Sequence, residues 1–204
     1  AASSDYPLRD VYKRQVQDVR RIIARMPTRP VIIGHSMGGM VAQKILEHED
    51  APAVVLMSSV PPAGLLAATA QMFMTRPNLL AELNRALNGA MPQLESLREA
   101  LFHQPISDEA LLAYMLRMHP ESTRAVWDMS CFDLPSPARM HRPPMLVLGA
   151  EHDNLVPASQ TQHTASAYDT DAHIFPDIGH GMMLEAGWQA TAEHIADWLI
   201  ERGF

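Results

Sequence analysis

Apolar residues along the chain repeat with two different periods. Tyr12, Val16, Val19, Ile23 and Met26 follow one another at spacings of four, three, four and three, which places them on one face of a predicted helix ended by Pro27 and Pro30. Arg20, Arg21 and Arg25 lie mostly off that stripe and read as its solvated side. Val31 to Ile33 is a short β-branched run closed by Gly34, and Met37 to Glu47 reads as a helix with Met37, Val41 and Ile45 on one side. Ala53 to Met57 and Met145 to Leu148, the latter closed by Gly149, are continuous apolar runs of the kind found in parallel strands covered on both faces. His173 to Phe175 is a fourth strand candidate. Helices are expected over Ala158 to Tyr168 and over Gly187 to Glu201, where Trp188, Ala192, Ile195 and Leu199 keep helical spacing. Strands alternating with helices predict an α/β class with a mostly parallel sheet flanked by helices.

Between Pro61 and Leu134 the pattern changes to short helices without a convincing strand. They are punctuated by Pro61-Pro62, Arg76-Pro77, Asn88-Gly89, His119-Pro120 and Leu134-Pro135. The expected organisation is a core formed by residues 1–60 and 135–204 around an all-helical insertion, 61–134. Met72, Met74, Met91, Met115, Met118 and Met129 fall in that insertion. Taken singly, each is expected to pack in a helix interface, although flexible thioethers also suit a forgiving apolar pocket.

Composition narrows the partners. Sixteen Lys plus Arg against twenty-three Asp plus Glu leave a net charge of −7, which disfavours electrostatic capture of nucleic acid or anionic lipid and favours a neutral or weakly polar small molecule. Cys131 is the single cysteine, so no internal disulfide is possible and a cytoplasmic location is expected. No apolar run approaches the ~20 residues of a membrane span. The oligomeric state is not legible from the sequence.

Gly34-His35-Ser36-Met37-Gly38 is a G-x-S-x-G pentapeptide that follows a predicted strand and opens a predicted helix. In that setting a sharp turn lifts the serine hydroxyl out of the sheet edge, and the helix N-terminus favours negative charge beside it. The Met37 backbone N–H is then the first donor to a tetrahedral oxyanion. Steric reasoning expects Gly34 and Gly38 to flank the turn where a Cβ would collide, and Gly39 to let the helix approach closely. A phosphate-binding turn fits less well, because neither P-loop nor G-x-G-x-x-G spacing is present.

An alcohol nucleophile needs a base, and the base an orienting acid. Asp153 lies just past the strand Met145 to Leu148, and His180 lies in a Gly-flanked loop past the strand His173 to Phe175, so both fall on the rim that carries Ser36. Asp133 and Asp177 are rival acids, Asp177 reading better as a turn former. His35 is expected to act as a packing or supporting residue and His152 as a loop neighbour. Without HExxH or other converging ligand spacing, neither a metal nor a cofactor is expected.

The order Ser36, Asp153, His180 is that of the α/β-hydrolase triad. From Val16 to Phe204 the chain resembles α/β-hydrolases of the lipase, esterase and lysophospholipase kind. The resemblance is carried by Val31 to Met40, by Leu146-Val147-Leu148-Gly149-Ala150-Glu151-His152-Asp153, and by Gly179-His180-Gly181-Met182-Met183-Leu184-Glu185. It implies Ser36 as nucleophile, His180 as general base and then acid, Asp153 as the orienting acid, and the helical insertion as a cap. The elbow residue Ser36 sets the chain apart from relatives whose elbow nucleophile is Asp, the epoxide hydrolases and haloalkane dehalogenases. The expected activity is hydrolysis of a small-molecule carboxylic ester with an apolar acyl group through an acyl-enzyme. A non-catalytic binding module, an acyltransferase and a carbon–carbon bond hydrolase are the alternatives.

Only thirty residues precede Val31, whereas the family's four earlier strands with their connections need ~50 to 60 at typical element lengths. The expectation is a fold whose early strands and second oxyanion donor are missing. The string Leu8 to Gln15 resembles a translated adapter remnant, which would start native sequence near Val16; a rebuilt short front is the competing explanation. Loss of the early strands would leave an edge with unpaired N–H and C=O groups on apolar strands and hence poor solubility, and both explanations predict the same triad.

Overall fold

The computed structural model describes residues 11–118 and 122–204. Most of the Leu8 to Gln15 string's first half and the His119-Pro120 boundary therefore lie outside the described residues. Tyr12, inside that string, is fully buried beside Val16 and Met40.

Four strands, β1 (Ile32–His35), β2 (Val54–Met57), β3 (Met145–Ala150) and β4 (Ala172–Phe175), form one all-parallel sheet in chain order. Helix α1 (Val11–Ile23) precedes β1, α2 (Met37–Leu46) connects β1 to β2, α8 (Ala158–Ala167) connects β3 to β4, and α9 (Trp188–Ile200) follows. The central strands β2 and β3 are covered on both faces, which is why they are continuously apolar. Val54, Leu56 and Val147 pack with Ala42, Leu46 and Ala165 of α2 and α8. The alternate residues Val55, Met57, Leu146 and Leu148 pack instead with Met182 and with Ile195 and Trp198 of α9. Each fully buried Val, Leu or Met among them contributes about 1.5–3 kcal/mol of hydrophobic stabilisation.

The register holds the carboxyl ends nearly level: His35 faces Met57, Met57 faces Leu148, and Ala150 faces Phe175. Loops that leave all four strands therefore emerge on one rim. β1 pairs only with β2, no described strand precedes it, and Ile33 is 53% exposed. Among the described residues the elbow strand thus stands at the sheet edge.

Between β2 and β3 lie α3 (Leu66–Thr75), α4 (Pro77–Leu87), α5 (Leu94–Leu101), α6 (Asp108–Met115) and α7 (Thr123–Trp127), the last running into a π-helical turn over Asp128–Phe132. Their boundaries follow local chemistry. Pro77 opens α4 as its first residue, Gly89 supplies a positive φ after its end, and the Ser107 and Ser122 hydroxyls cap α6 and α7. Met72 and Met129 are buried as expected, whereas Met74, Met91 and Met118 are exposed.

Several elements depart from the periodicity. α1 stops at Ile23, so Met26 falls beyond it and is 45% exposed. β1 and β3 run through Gly34 and Gly149 rather than ending there, because both glycines sit where a helix crosses the strand closely. α2 is buried from Gly39 to Leu46, not along one stripe. On α9 the packed face carries Thr191, Ile195 and Trp198, leaving Trp188 and Ala192 exposed. Among the described residues no helix is long and apolar enough to cross a membrane.

Candidate active site

Ser36 joins β1 to α2 with φ 53° and ψ −122°, a conformation costing about 1–3 kcal/mol for a residue other than glycine. The backbone around it is fixed: its N–H donates to the Met57 carbonyl at 3.0 Å, and its own carbonyl accepts the N–H groups of Gly39 at 3.0 Å and Val60 at 3.1 Å. A serine before a helix ordinarily caps it with its hydroxyl. Here the side chain makes no cap hydrogen bond, and among the described residues the hydroxyl has no hydrogen-bond partner, His180 included.

The turn depends on two glycines. A Cβ on Gly34 would lie 2.6 Å from the Gly38 carbonyl oxygen and 2.7 Å from the Gly39 Cα, and one on Gly39 would overlap the Ser59 side chain. Gly38 does not meet the steric expectation, since a Cβ there touches nothing within 4 Å. It sits on the open side of the first helical turn.

The acid and the imidazole are joined. Asp153 Oδ2 accepts the His180 Nδ1–H at 2.8 Å, both side chains being buried. Its other oxygen accepts the N–H groups of Leu155 at 2.8 Å and Val156 at 2.7 Å. A carboxylate that only accepts leaves the proton on Nδ1 and a lone pair on Nε2, the form a base requires. The rival acids are engaged elsewhere: Asp133 accepts from Lys44 Nζ at 3.0 Å, and Asp177 forms a turn with φ 53°.

His35, the residue before Ser36, donates from Nε2 to the His180 carbonyl at 2.9 Å, with the two rings 4.7 Å apart. Burial, reinforced by the neighbouring His180, pushes the His35 imidazole down to about 4, so it stays neutral near pH 7. A second positive charge is thereby kept away from His180.

Two groups of polar residues were not visible from sequence. The buried Glu185 carboxylate accepts the backbone N–H groups of Gly179 and His103 at 2.8 Å and of Gln104 at 3.0 Å, fastening the His180 loop to the end of α5. Its only sequence signal is a lone acid behind the apolar run Met182-Met183-Leu184. The buried Gln43 amide donates to Ser59 Oγ at 2.9 Å and to the Val60 carbonyl at 2.8 Å, anchoring the loop after β2 to α2. A further trio, His103, His152 and Asp177, gathers at the surface between these loops. A cleft of about 310 Å³ lined by Met145, Thr170, His173, His194, Trp198 and Arg202 opens at the amino ends of β3 and β4, the rim opposite Ser36.

Residues 2–194 match the model of a family described as the alpha/beta hydrolase family. No functionally curated protein matches the sequence. Among solved structures, a protein assigned as a lipase from Acinetobacter baumannii AYE superposes with a TM-score of 0.74 at 17% identity, over 99% of this chain and 71% of that one. An esterase from Exiguobacterium antarcticum gives 0.66 at 16% identity, over 96% and 76%. A 2-hydroxy-6-oxo-6-phenylhexa-2,4-dienoate hydrolase from Rhodococcus sp. strain RHA1 gives 0.67 at 18%, over 96% and 73%. At such identities the likeness is one of fold.

Proposed function

Because the chain belongs to the alpha/beta hydrolase family, we propose that it is a serine hydrolase cleaving small-molecule carboxylic esters, with Ser36 as nucleophile, His180 as base and Asp153 as orienting acid. The observation that carries this is the buried 2.8 Å bond between His180 Nδ1 and Asp153 Oδ2, on the rim where Ser36 is held at positive φ at the start of α2.

In the first half-reaction the Ser36 hydroxyl oxygen attacks the ester carbonyl carbon and His180 Nε2 takes the hydroxyl proton. The carbonyl oxygen becomes an oxyanion facing the Met37 N–H and the positive end of the α2 dipole. His180 returns the proton to the departing alkoxide, leaving an acyl-Ser36 ester. Water, deprotonated by the same imidazole, then releases the acid. Asp153 stays a carboxylate and stabilises the imidazolium formed in each half.

The residues 61–134 act as a cap. Support comes from the bonds between the end of α5 and the His180 loop, including the Gly181 N–H to the Leu101 carbonyl at 2.6 Å. An apolar acyl group suits the Leu- and Met-rich insert, and a cytoplasmic location suits the single Cys131. Assaying p-nitrophenyl esters from acetate to laurate tests the substrate class. Turnover lost in Ser36→Ala is the expected result, and no turnover of any chain length by folded wild-type protein would refute the ester assignment.

The uncommitted Ser36 hydroxyl favours one other reading, a binding module that keeps the fold without the chemistry. Such a protein binds esters without releasing acid, which the same assay detects.

A further inference from the structure

We propose that His103, His152 and Asp177 form a surface site for one divalent transition-metal ion that ties the helical insert to the loops carrying Asp153 and His180. One potential ligand atom from each residue lies within 4.8 Å of the other two. The three residues come from different segments: His103 follows α5, His152 precedes Asp153, and Asp177 lies ahead of His180. This separation along the chain is why no ligand spacing is visible in the sequence.

The trio is laced together through the backbone. The His152 N–H donates to the Ile178 carbonyl at 3.0 Å, next to Asp177. The His103 N–H donates to Glu185, whose same oxygen also accepts from Gly179. The Gln104 amide donates to the Asp177 carbonyl at 3.0 Å. Three anchored backbones that hold these exposed side chains close together reduce the ordering cost that usually limits surface metal sites.

Two imidazoles and one carboxylate select the kind of ion. Such a set suits Zn²⁺, Ni²⁺ or Co²⁺ and is too poor in oxygen for Ca²⁺ or Mg²⁺. Three protein ligands leave the remaining positions to water. Glu151, whose carboxylate lies 3.9 Å from His152 Nε2, adds negative charge beside the site. At present the His103 and His152 rings are stacked, with centroids 3.6 Å apart and planes 11° apart. In-plane lone pairs of parallel rings cannot meet on one ion, so binding turns at least one ring. Both rings are exposed, and the torsion concerned has a broad minimum.

The site is independent of the hydrolase chemistry, because its test reads metal binding directly. Titration of the full chain with Zn²⁺ at pH 7.5, followed by calorimetry, is expected to show one ion per chain with micromolar affinity and a raised melting temperature. His103→Ala, His152→Ala and Asp177→Asn should each weaken binding at least about tenfold while circular dichroism stays unchanged. His194→Ala removes half of the other stacked pair, His173 with His194, and should leave the affinity unaltered. No binding below 1 mM (roughly 4 kcal/mol) would overturn the proposal, as would a site lost in His194→Ala but retained in His103→Ala and His152→Ala.

Discussion

Glu185 accepts the backbone N–H of Gly179 at 2.8 Å, one residue ahead of His180. The same carboxylate takes two more N–H groups from His103 and Gln104, so one buried side chain joins the His180 loop to the segment that follows α5. Glu185→Ala strands three buried or half-buried donors, each costing about 1–3 kcal/mol when unsatisfied. We expect a stability loss of about 3 kcal/mol or more in urea titrations, together with lower turnover; a variant as stable as wild type would show that the loop is held otherwise.

Two glycines of the elbow, Gly34 and Gly38, should separate by sterics. Gly34→Ala pushes a methyl against the backbone of Gly38 and Gly39, with no flexible side chain to yield, whereas Gly38→Ala adds one where nothing lies within 4 Å. Gly34→Ala is expected to destabilise by several kcal/mol, on the order of a severe overpacking mutation. Gly38→Ala should be neutral or stabilising by up to about 1 kcal/mol, since alanine is the better helix former. Thermal melts of the two variants check the contrast.

His35 makes stability depend on pH. Its imidazole, near 6.5 in the unfolded chain, is pushed down to about 4 in the fold by burial and by His180. Between those values the unfolded state holds a proton that the folded state lacks. Stability is therefore complete above about pH 6.5, falls as pH drops toward 4, and levels off below, the total being up to about 3 kcal/mol. His35→Gln keeps an amide donor for the His180 carbonyl and removes the titration. We expect a smaller loss of stability for it than for wild type between pH 7 and 4.5, and equal losses would contradict the assignment.

Much of this architecture is legible in the sequence, because the central strands β2 and β3 are buried on both faces and so appear as continuous apolar runs. The phase of α9 is not, since its apolar residues permit two overlapping stripes and only contact with Met182, Leu148 and their neighbours selects Ile195 and Trp198. Ser36, Asp153 and His180 stand out because each lies within a few residues of a strand's carboxyl end, on a rim that parallel topology makes common. Glu185, Gln43 and the trio of His103, His152 and Asp177 do not. Their roles consist of bonds to backbone groups, or closeness between loops, that no spacing encodes.

The role proposed for Asp153 is separable from its shape. Asp153→Asn keeps the volume but presents an amide that can donate to Nδ1, favouring the tautomer with its proton on Nε2. A base disabled in this way typically loses about 10³–10⁴ in rate. Steady-state kinetics on the best p-nitrophenyl ester should show that loss in kcat with little change in KM, and a variant retaining wild-type turnover would assign the acid's role to another carboxylate.

The nucleophile can be identified directly. Folded protein is treated with a fluorophosphonate, digested, and the adduct located by peptide mass spectrometry. A single adduct on Ser36, absent from Ser36→Ala and slowed in Asp153→Asn, is the expected result; a soluble, folded chain that stays unlabelled, or is labelled at another residue, would contradict the serine-hydrolase function.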